Sequence, residues 1–370
     1  DDAGPAAADA GPVTADAGPV TADAFLAAAA TTAALAQALD RDERGGAGPA
    51  RVALFEPTPE RRARALAAIA AGRPRHGRDG IHVTPQGLIA AGGKVAFLFP
   101  GIEAEFAPEV ESLARGLGVA PPDVAAPDLE HQALRVLLLS RFLLRAADAV
   151  GLRPDLLAGH SIGEWSGMVA AGMFDEAATE RFIDSLRPGT SRVADVRYVA
   201  AGTGRARLEA LFAAEPDVAI THDNCNHQAI LCAPAARTDA VAAKLRAQRV
   251  LFEVLPFRSG FHSPALADHV DFYVRNLEAL PFTPARVPLW SATTCAPYPA
   301  EPAAIRALFA EHLTKPVRFR ELVEALYAEG ARVFVQMGTG SLPAFVDDVL
   351  AGRPHLAVSL LSARRPGREQ

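Results

Sequence analysis

Positive charge, cysteine, aromatic side chains and long apolar runs are all scarce in this chain, and each scarcity narrows what it can be. Lys and Arg number 37 against 43 Asp and Glu, for a net charge of −6. No basic block stands out, which argues against nucleic acid as a partner. Apolar stretches fall short of the ~18 residues needed to cross a bilayer, so no membrane role is expected. The nearest, "LRVLLLSRFLLRAADAV" at 134–150, is broken by Arg135, Arg141 and Arg145. The first residues lack the charged-then-apolar order of a secretory signal. The three cysteines (Cys225, Cys232 and Cys295) have no metal-ligand spacing and cannot all pair. A reducing, cytoplasmic setting without a metal site is the expectation. Aromatics make up only 6% of a chain that is 50% hydrophobic, so the core must be built largely from Ala, Val and Leu.

What is present begins with a repeat: "DAGPAAA" at 2, then "DAGPVTA" at 9 and again at 16. Gly-Pro in every unit and the shortage of apolar surface make residues 1–24 a flexible linker rather than a coiled coil. The chain is therefore read as an excised piece of a longer polypeptide, with "SARRPGREQ" as its other cut end. Residues 25–92 form a small α/β module. In it "FLAAAATTAALAQAL" reads as a helix, "RVALFEP" as a strand, and "TPERRARALAAIAAG" as a helix capped by Thr58 with Pro59 at its first position. From "KVAFLFPG" at 94–101 onward, strands alternate with helices, which predicts a parallel sheet covered on both faces. That large subdomain takes in 93–194 and 257–365. Residues 195–256 interrupt it with the order β-α-β-β-α-β, a ferredoxin-like unit whose second helix is expected to be capped by Thr238. A cleft between the two is the expected binding site.

"DLLAGHSIGEW" at 155–165 carries the pattern G-x-S-x-G between a strand and a helix. Such a turn exposes the serine oxygen, and the following helix N-terminus favours negative charge. Ser161 is thus a candidate nucleophile, against the alternative that small-x-Ser-x-small recurs by chance at such turns. The Ile162 amide is a candidate oxyanion donor, and the Ile102 amide, after "FLFPG", a second. A serine nucleophile needs a base. Of ten histidines, His262 in "RSGFHSPAL" lies on a loop able to overhang the cleft. His222 and His227 fall in the inserted unit, while His76, His131, His269, His312 and His355 read as surface residues. No acid between Ser161 and His262 stands at a strand end, so a backbone carbonyl is the candidate orienter of His262, which weakens a hydrolase reading.

"FPG" at 99–101, "GHSIGEW" at 159–165, "GFHSP" at 260–264, "KPVRF" at 315–319 and "VFVQMGTGS" at 333–341 stand in one order. Together they resemble malonyl-CoA:acyl-carrier-protein transacylases, and most closely the acyltransferase domains of type I polyketide and fatty acid synthases. The resemblance covers about 94–362, and residues 25–92 resemble the linker that joins a ketosynthase to such a domain. "DNCNHQ" at 223–228 together with "GHSIGEWSGM" resembles iterative synthases of the enediyne and polyunsaturated-fatty-acid type.

The resemblance implies an α/β-hydrolase-like large subdomain with an inserted ferredoxin-like one. It implies a Ser161–His262 dyad, oxyanion donors at Ile102 and Ile162, and a main-chain carbonyl, sought at Gln336–Gly338, orienting His262. Where the family has Phe-Pro-Gly-Gln-Gly this chain has Phe-Pro-Gly-Ile-Glu, which leaves the backbone donor in place. Arg187 is expected to clamp a malonyl carboxylate, the alternative being a cation that only complements a helix C-terminus. Phe261 before the histidine implies malonyl over methylmalonyl, although Ser259 replaces a larger ring-bearing residue of the family's tetrapeptide. His160, Asn224 and Gln228 are further substrate-binding candidates, with a capped loop as the simpler account of the last two. The implied substrate is malonyl-CoA, the acceptor is the phosphopantetheine thiol of an acyl carrier protein, and the neighbour is a ketosynthase domain of the same polypeptide. No tightly bound cofactor is implied. A serine thioesterase or acyl hydrolase and an inactive carrier-docking domain are the alternatives.

Overall fold

The computed structural model describes residues 24–361 apart from 77–78, 104–105, 127–128, 186–194, 257 and 279. The repeat segment before Ala24, the "SARRPGREQ" end and Arg187 lie outside the described residues. Two units divide the chain, one ending at Gly87 and the other beginning at Leu88.

The first unit runs β1 (Ala24–Ala29), α1 (Thr32–Asp40), β2 (Ala50–Phe55), α2 (Pro59–Ala70), β3 (Arg75–His76) and β4 (Ile81–Thr84). The strands form an antiparallel sheet in the order β1-β2-β4-β3. Thr58 caps α2 by accepting from the Arg61 amide, with Pro59 in the first turn. One expectation fails here: the helix expected from Phe25 onward starts only at Thr32, after an N-cap at Thr31. Alanine favours helix, but six residues paired to β2 and complete burial of the Phe25 ring outweigh that preference.

The second unit opens with β5 (Lys94–Phe99), α3 (Glu111–Leu117), α4 (Leu129–Ala149), β6 (Leu156–Gly159), α5 (Gly163–Ala170) and α6 (Glu176–Ser185). It continues with β7 (Val196–Ala201), α7 (Arg205–Phe212), β8 (Ala219–Cys225), β9 (Gln228–Pro234), α8 (Thr238–Ala247) and β10 (Phe252–Val254). These last six pair in the order β10-β7-β9-β8, the βαββαβ arrangement with all neighbours antiparallel. Thr238 does not cap α8. A 3-10 turn at Ala235–Arg237 leads straight into the helix, so Thr238 is its first residue and its hydroxyl donates to the Ala235 carbonyl.

The chain then returns through α9 (Val270–Glu278), β11 (Leu289–Ser291), β12 (Ala296–Pro297), α10 (Pro302–Thr314), α11 (Phe319–Ala328), β13 (Ala331–Gln336), α12 (Leu342–Val349) and β14 (Leu356–Ser359). The main sheet has the order β12-β11-β6-β5-β13-β14, parallel throughout except for β12. Side chains alternate across it. Val95, Phe97 and Phe99 face α4, α5 and α10, while Ala96 and Leu98 face α11 and α12. A sheet buried on both faces accounts for strands that read as unbroken apolar runs. No helix among the described residues is long and apolar enough to cross a membrane.

Candidate active site

The parallel strands β5, β6, β11 and β13 place their C-terminal ends along one edge, and β6 ends there at Gly159. Ser161 follows with φ at +56°, a left-handed backbone that costs a non-glycine residue ~1–2 kcal/mol. Its neighbours make the turn possible. A Cβ on Gly159 would lie 2.1 Å from the Glu164 amide nitrogen, and one on Gly163 2.1 Å from the Phe99 carbonyl oxygen. Just beyond the adjacent strand β5, Gly101 rides against the turn, where a Cβ would stand 2.9 Å from the His160 oxygen and 3.3 Å from the Ser161 Cβ. The loop carrying Ile102 thus passes beside the serine, and Ile162 heads the turn into α5.

His262 also has a left-handed backbone, with φ at +61°, and its side chain is buried. Its Nε2 is 2.7 Å from Ser161 Oγ, and its Nδ1 is 2.9 Å from the main-chain oxygen of His312. A carbonyl can only accept, so Nδ1 carries the proton and Nε2 is left to accept from the serine hydroxyl. The orienting carbonyl is therefore at His312, not at Gln336–Gly338. Two of those carbonyls have other donors: Gln336 O accepts from the Leu360 amide at 3.0 Å, and Met337 O from the Ser140 hydroxyl at 3.4 Å. Burial holds His262 well below the usual imidazole range, with His312 and His160 adding to the effect. A neutral ring at Nε2 is the form able to take a proton.

His312, expected at the surface, is only 2% exposed. It lies on a stripe of α10 with Ile305, Leu308, Phe309 and Leu313, and that spacing turns it inward. Its Nε2 is 3.0 Å from the Ser161 carbonyl oxygen, and its Nδ1 is 3.1 Å from Thr293 Oγ1 and 3.3 Å from Glu164 Oε1. Glu164, three residues beyond the serine, is completely buried and accepts from the Ser291 and Tyr298 hydroxyls and the Ala292 amide. His222 reaches the same cluster from β8: its ring stacks on His160 at 5.2 Å and meets His262 edge-on at 5.1 Å. Burial drives His160 down to about 4, against the pull of its bond to Asn224, and holds His222 well below its ordinary value.

Among the other sequence candidates, His160 Nε2 donates to Asn224 Oδ1 at 2.8 Å, and Asn224 Nδ2 donates to Gln228 Oε1 at 2.8 Å. One chain of bonds thus joins the serine turn to the inserted subdomain. Phe261 packs on Tyr273 with ring centroids 5.1 Å apart. The Tyr198 hydroxyl, from β7, donates to the Phe261 carbonyl at 2.7 Å and lies 3.0 Å from Ser259 Oγ, fastening the loop that carries His262. Glu103, after the Ile102 position, has its carboxyl pushed up to about 7 by burial. A Cβ on Gly340 would meet that carboxyl, which is free to move aside, but the Gly340 φ of +122° is a backbone that favours glycine. His222, Tyr198, Glu164 and the roles of His312 were not singled out from sequence.

A family model for the acyl transferase domain matches residues 130–343. The chain therefore belongs to the acyl transferase domain family. It is 28% identical over 195 residues to a malonyl CoA-acyl carrier protein transacylase of Synechocystis sp., a match covering 52% of this chain and 65% of that protein. It is 27% identical over 280 residues to the Bacillus subtilis protein of the same name, covering 67% of this chain and 88% of that one. The polyketide biosynthesis protein PksE of Bacillus subtilis is matched over 29% of its length, so the chain spans less than two thirds of some of these relatives. In fold, it resembles the acyltransferase domain of an iterative polyketide synthase in enediyne biosynthesis, with a TM-score of 0.69, 24% identity, and coverage of 91% of this chain and 90% of that one. It also resembles the acyltransferase domain of the second salinomycin synthase module, with a TM-score of 0.70, 24% identity, and coverage of 86% and 80%.

Proposed function

We propose that this acyltransferase moves a malonyl group from malonyl-CoA to the phosphopantetheine thiol of an acyl carrier protein by way of an ester on Ser161, within a polyketide synthase. One observation carries the reading: Ser161 Oγ stands 2.7 Å from His262 Nε2, while a main-chain carbonyl, rather than a carboxylate, holds Nδ1. His262 Nε2 takes the hydroxyl proton as Ser161 Oγ bonds to the thioester carbon. The amides of Ile102 and Ile162 receive the charge on the carbonyl oxygen. The carbon–sulfur bond then breaks, and the CoA sulfur leaves with the proton from His262. In the second half the carrier thiol gives its proton to the same nitrogen, attacks the serine ester, and Ser161 regains its hydrogen. No tightly bound cofactor takes part.

Arg187 is assigned the malonyl carboxylate, because a guanidinium fork matches both its oxygens. The Phe261 ring, braced by Tyr273, is assigned the sieve against an α-methyl branch, worth ~1–3 kcal/mol. His160, Asn224 and Gln228 are assigned the wall of the substrate cleft on the side of the inserted subdomain. Residues 25–92 are assigned as the linker to a ketosynthase domain of the same polypeptide. The test is transfer from malonyl-CoA to a phosphopantetheinylated carrier protein, scored against hydrolysis. Loaded carrier protein in excess of free malonate supports the reading. Free malonate alone would make the protein a thioesterase, and the absence of both would leave a carrier-docking domain.

A further inference from the structure

His312 touches both members of the Ser161–His262 pair, and only one of its contacts belongs to the main chain. Its carbonyl accepts from His262 Nδ1, and the neighbouring Leu313 carbonyl accepts from the His262 amide at 2.8 Å. Its ring reaches the other way, with Nε2 3.0 Å from the Ser161 carbonyl oxygen. That oxygen is an acceptor only, so Nε2 carries the hydrogen. The same oxygen already accepts from the Glu164 amide at 2.9 Å, so the two donors together fix the left-handed Ser161 peptide. Nδ1 is held in turn by Thr293 Oγ1 at 3.1 Å, with the Glu164 carboxylate at 3.3 Å.

We propose that the His312 imidazole is a positioning residue for acyl transfer. By holding the Ser161 carbonyl from the segment that holds His262, it sets the separation between Oγ and Nε2. The inference rests on the proposed acyl-serine chemistry. It concerns the side chain, because every substitution at this position keeps the carbonyl that orients His262.

The test compares His312→Gln, which retains an N–H donor, with His312→Leu, which fills similar volume without one, and with Thr293→Val, which frees Nδ1. Two readouts separate this inference from the proposed function. A fluorophosphonate probe labels an activated serine without needing a particular acyl donor, and malonyl-CoA loading reports the donor. A misplacement of the reacting atoms is expected to slow probe labelling in His312→Leu about 10²-fold, with His312→Gln recovering to within about tenfold of wild type and Thr293→Val between the two. In malonyl loading the loss falls on kcat, with KM little changed. Equal losses in the Gln and Leu variants, or losses that follow Tm rather than the donor, would overturn the inference. If His312→Leu does not fold, wild-type rates in both other variants would overturn it as well. Labelling that follows the donor series in a protein refusing malonyl-CoA would uphold the inference while refuting the proposed donor. A wild-type serine that resists the probe would overturn both.

Discussion

Acidification sets the buried histidines against the fold, and His160 permits the effect to be sized. Its imidazole, ordinarily titrating near 6.5, is driven down to about 4 by burial, with the bond to Asn224 opposing and His312 assisting. As pH falls below 6.5 the unfolded chain binds a proton that the native state refuses, so stability is lost until the native value is reached. Between pH 7 and pH 5 this costs about 2 kcal/mol. Glu103 acts in the opposite sense, because a carboxyl raised to about 7 takes up its proton in the native state first, and it returns about 2 kcal/mol over the same interval. Wild-type stability sums these effects with those of the other buried histidines, His222 and His262, whereas the difference between wild type and His160→Gln isolates the His160 contribution. Both tryptophans, Trp165 and Trp290, belong to the unit that contains the cluster, so urea unfolding followed by tryptophan fluorescence reports on that unit. Relative to His160→Gln, the wild type should lose about 2 kcal/mol on going from pH 7 to pH 5. A difference that stays constant, or that grows in favour of the wild type, would refute the reasoning.

Other substitutions probe the turn and its supports. Ser161→Gly and Ser161→Ala both remove the hydroxyl, but only glycine relieves a φ of +56°, so the Gly variant should be more stable than the Ala variant by ~1 kcal/mol in urea melts. Gly163→Ala forces a Cβ to 2.1 Å from a backbone oxygen and should cost at least ~3 kcal/mol, with serine labelling lost, whereas a wild-type Tm would contradict the packing account. Tyr198→Phe deletes the hydroxyl held by Phe261 and Ser259 and should cost ~1–2 kcal/mol together with weaker rejection of methylmalonyl-CoA in competition loading. Glu164→Leu leaves the Ser291, Tyr298 and Ala292 donors buried without their acceptor and should destabilise by ~3–5 kcal/mol in chemical denaturation.

Much of the architecture was legible because apolar periodicity and turn residues carry it. The alternation from Lys94 onward foretold the doubly covered sheet, and the β-α-β-β-α-β order marked the inserted unit. The Ser161 turn announced itself through Gly159 and Gly163, whose missing side chains are a steric requirement. Less legible were features that depend on partners remote in the chain. Ala24–Ala29 has helical composition and is a strand because β2 pairs with it. The carbonyl that orients His262 has no signature in sequence, since every residue possesses one and only the fold selects His312. The inward face of His312 was, by contrast, readable from the 305, 308, 309, 312 and 313 spacing on α10. His222 and Tyr198 meet the cluster only because strands β7 and β8 of the inserted sheet deliver them, which no local pattern reveals.

The central claim is that Ser161 carries the acyl group, made nucleophilic by a histidine that a carbonyl orients. Peptide-mapped mass spectrometry of the protein quenched seconds after mixing with malonyl-CoA tests it most directly. The account predicts a malonyl ester on the peptide containing Ser161, lost in Ser161→Ala, strongly slowed in His262→Ala, and discharged when carrier protein is added. Malonyl on a different residue, or loading that survives Ser161→Ala, would contradict it.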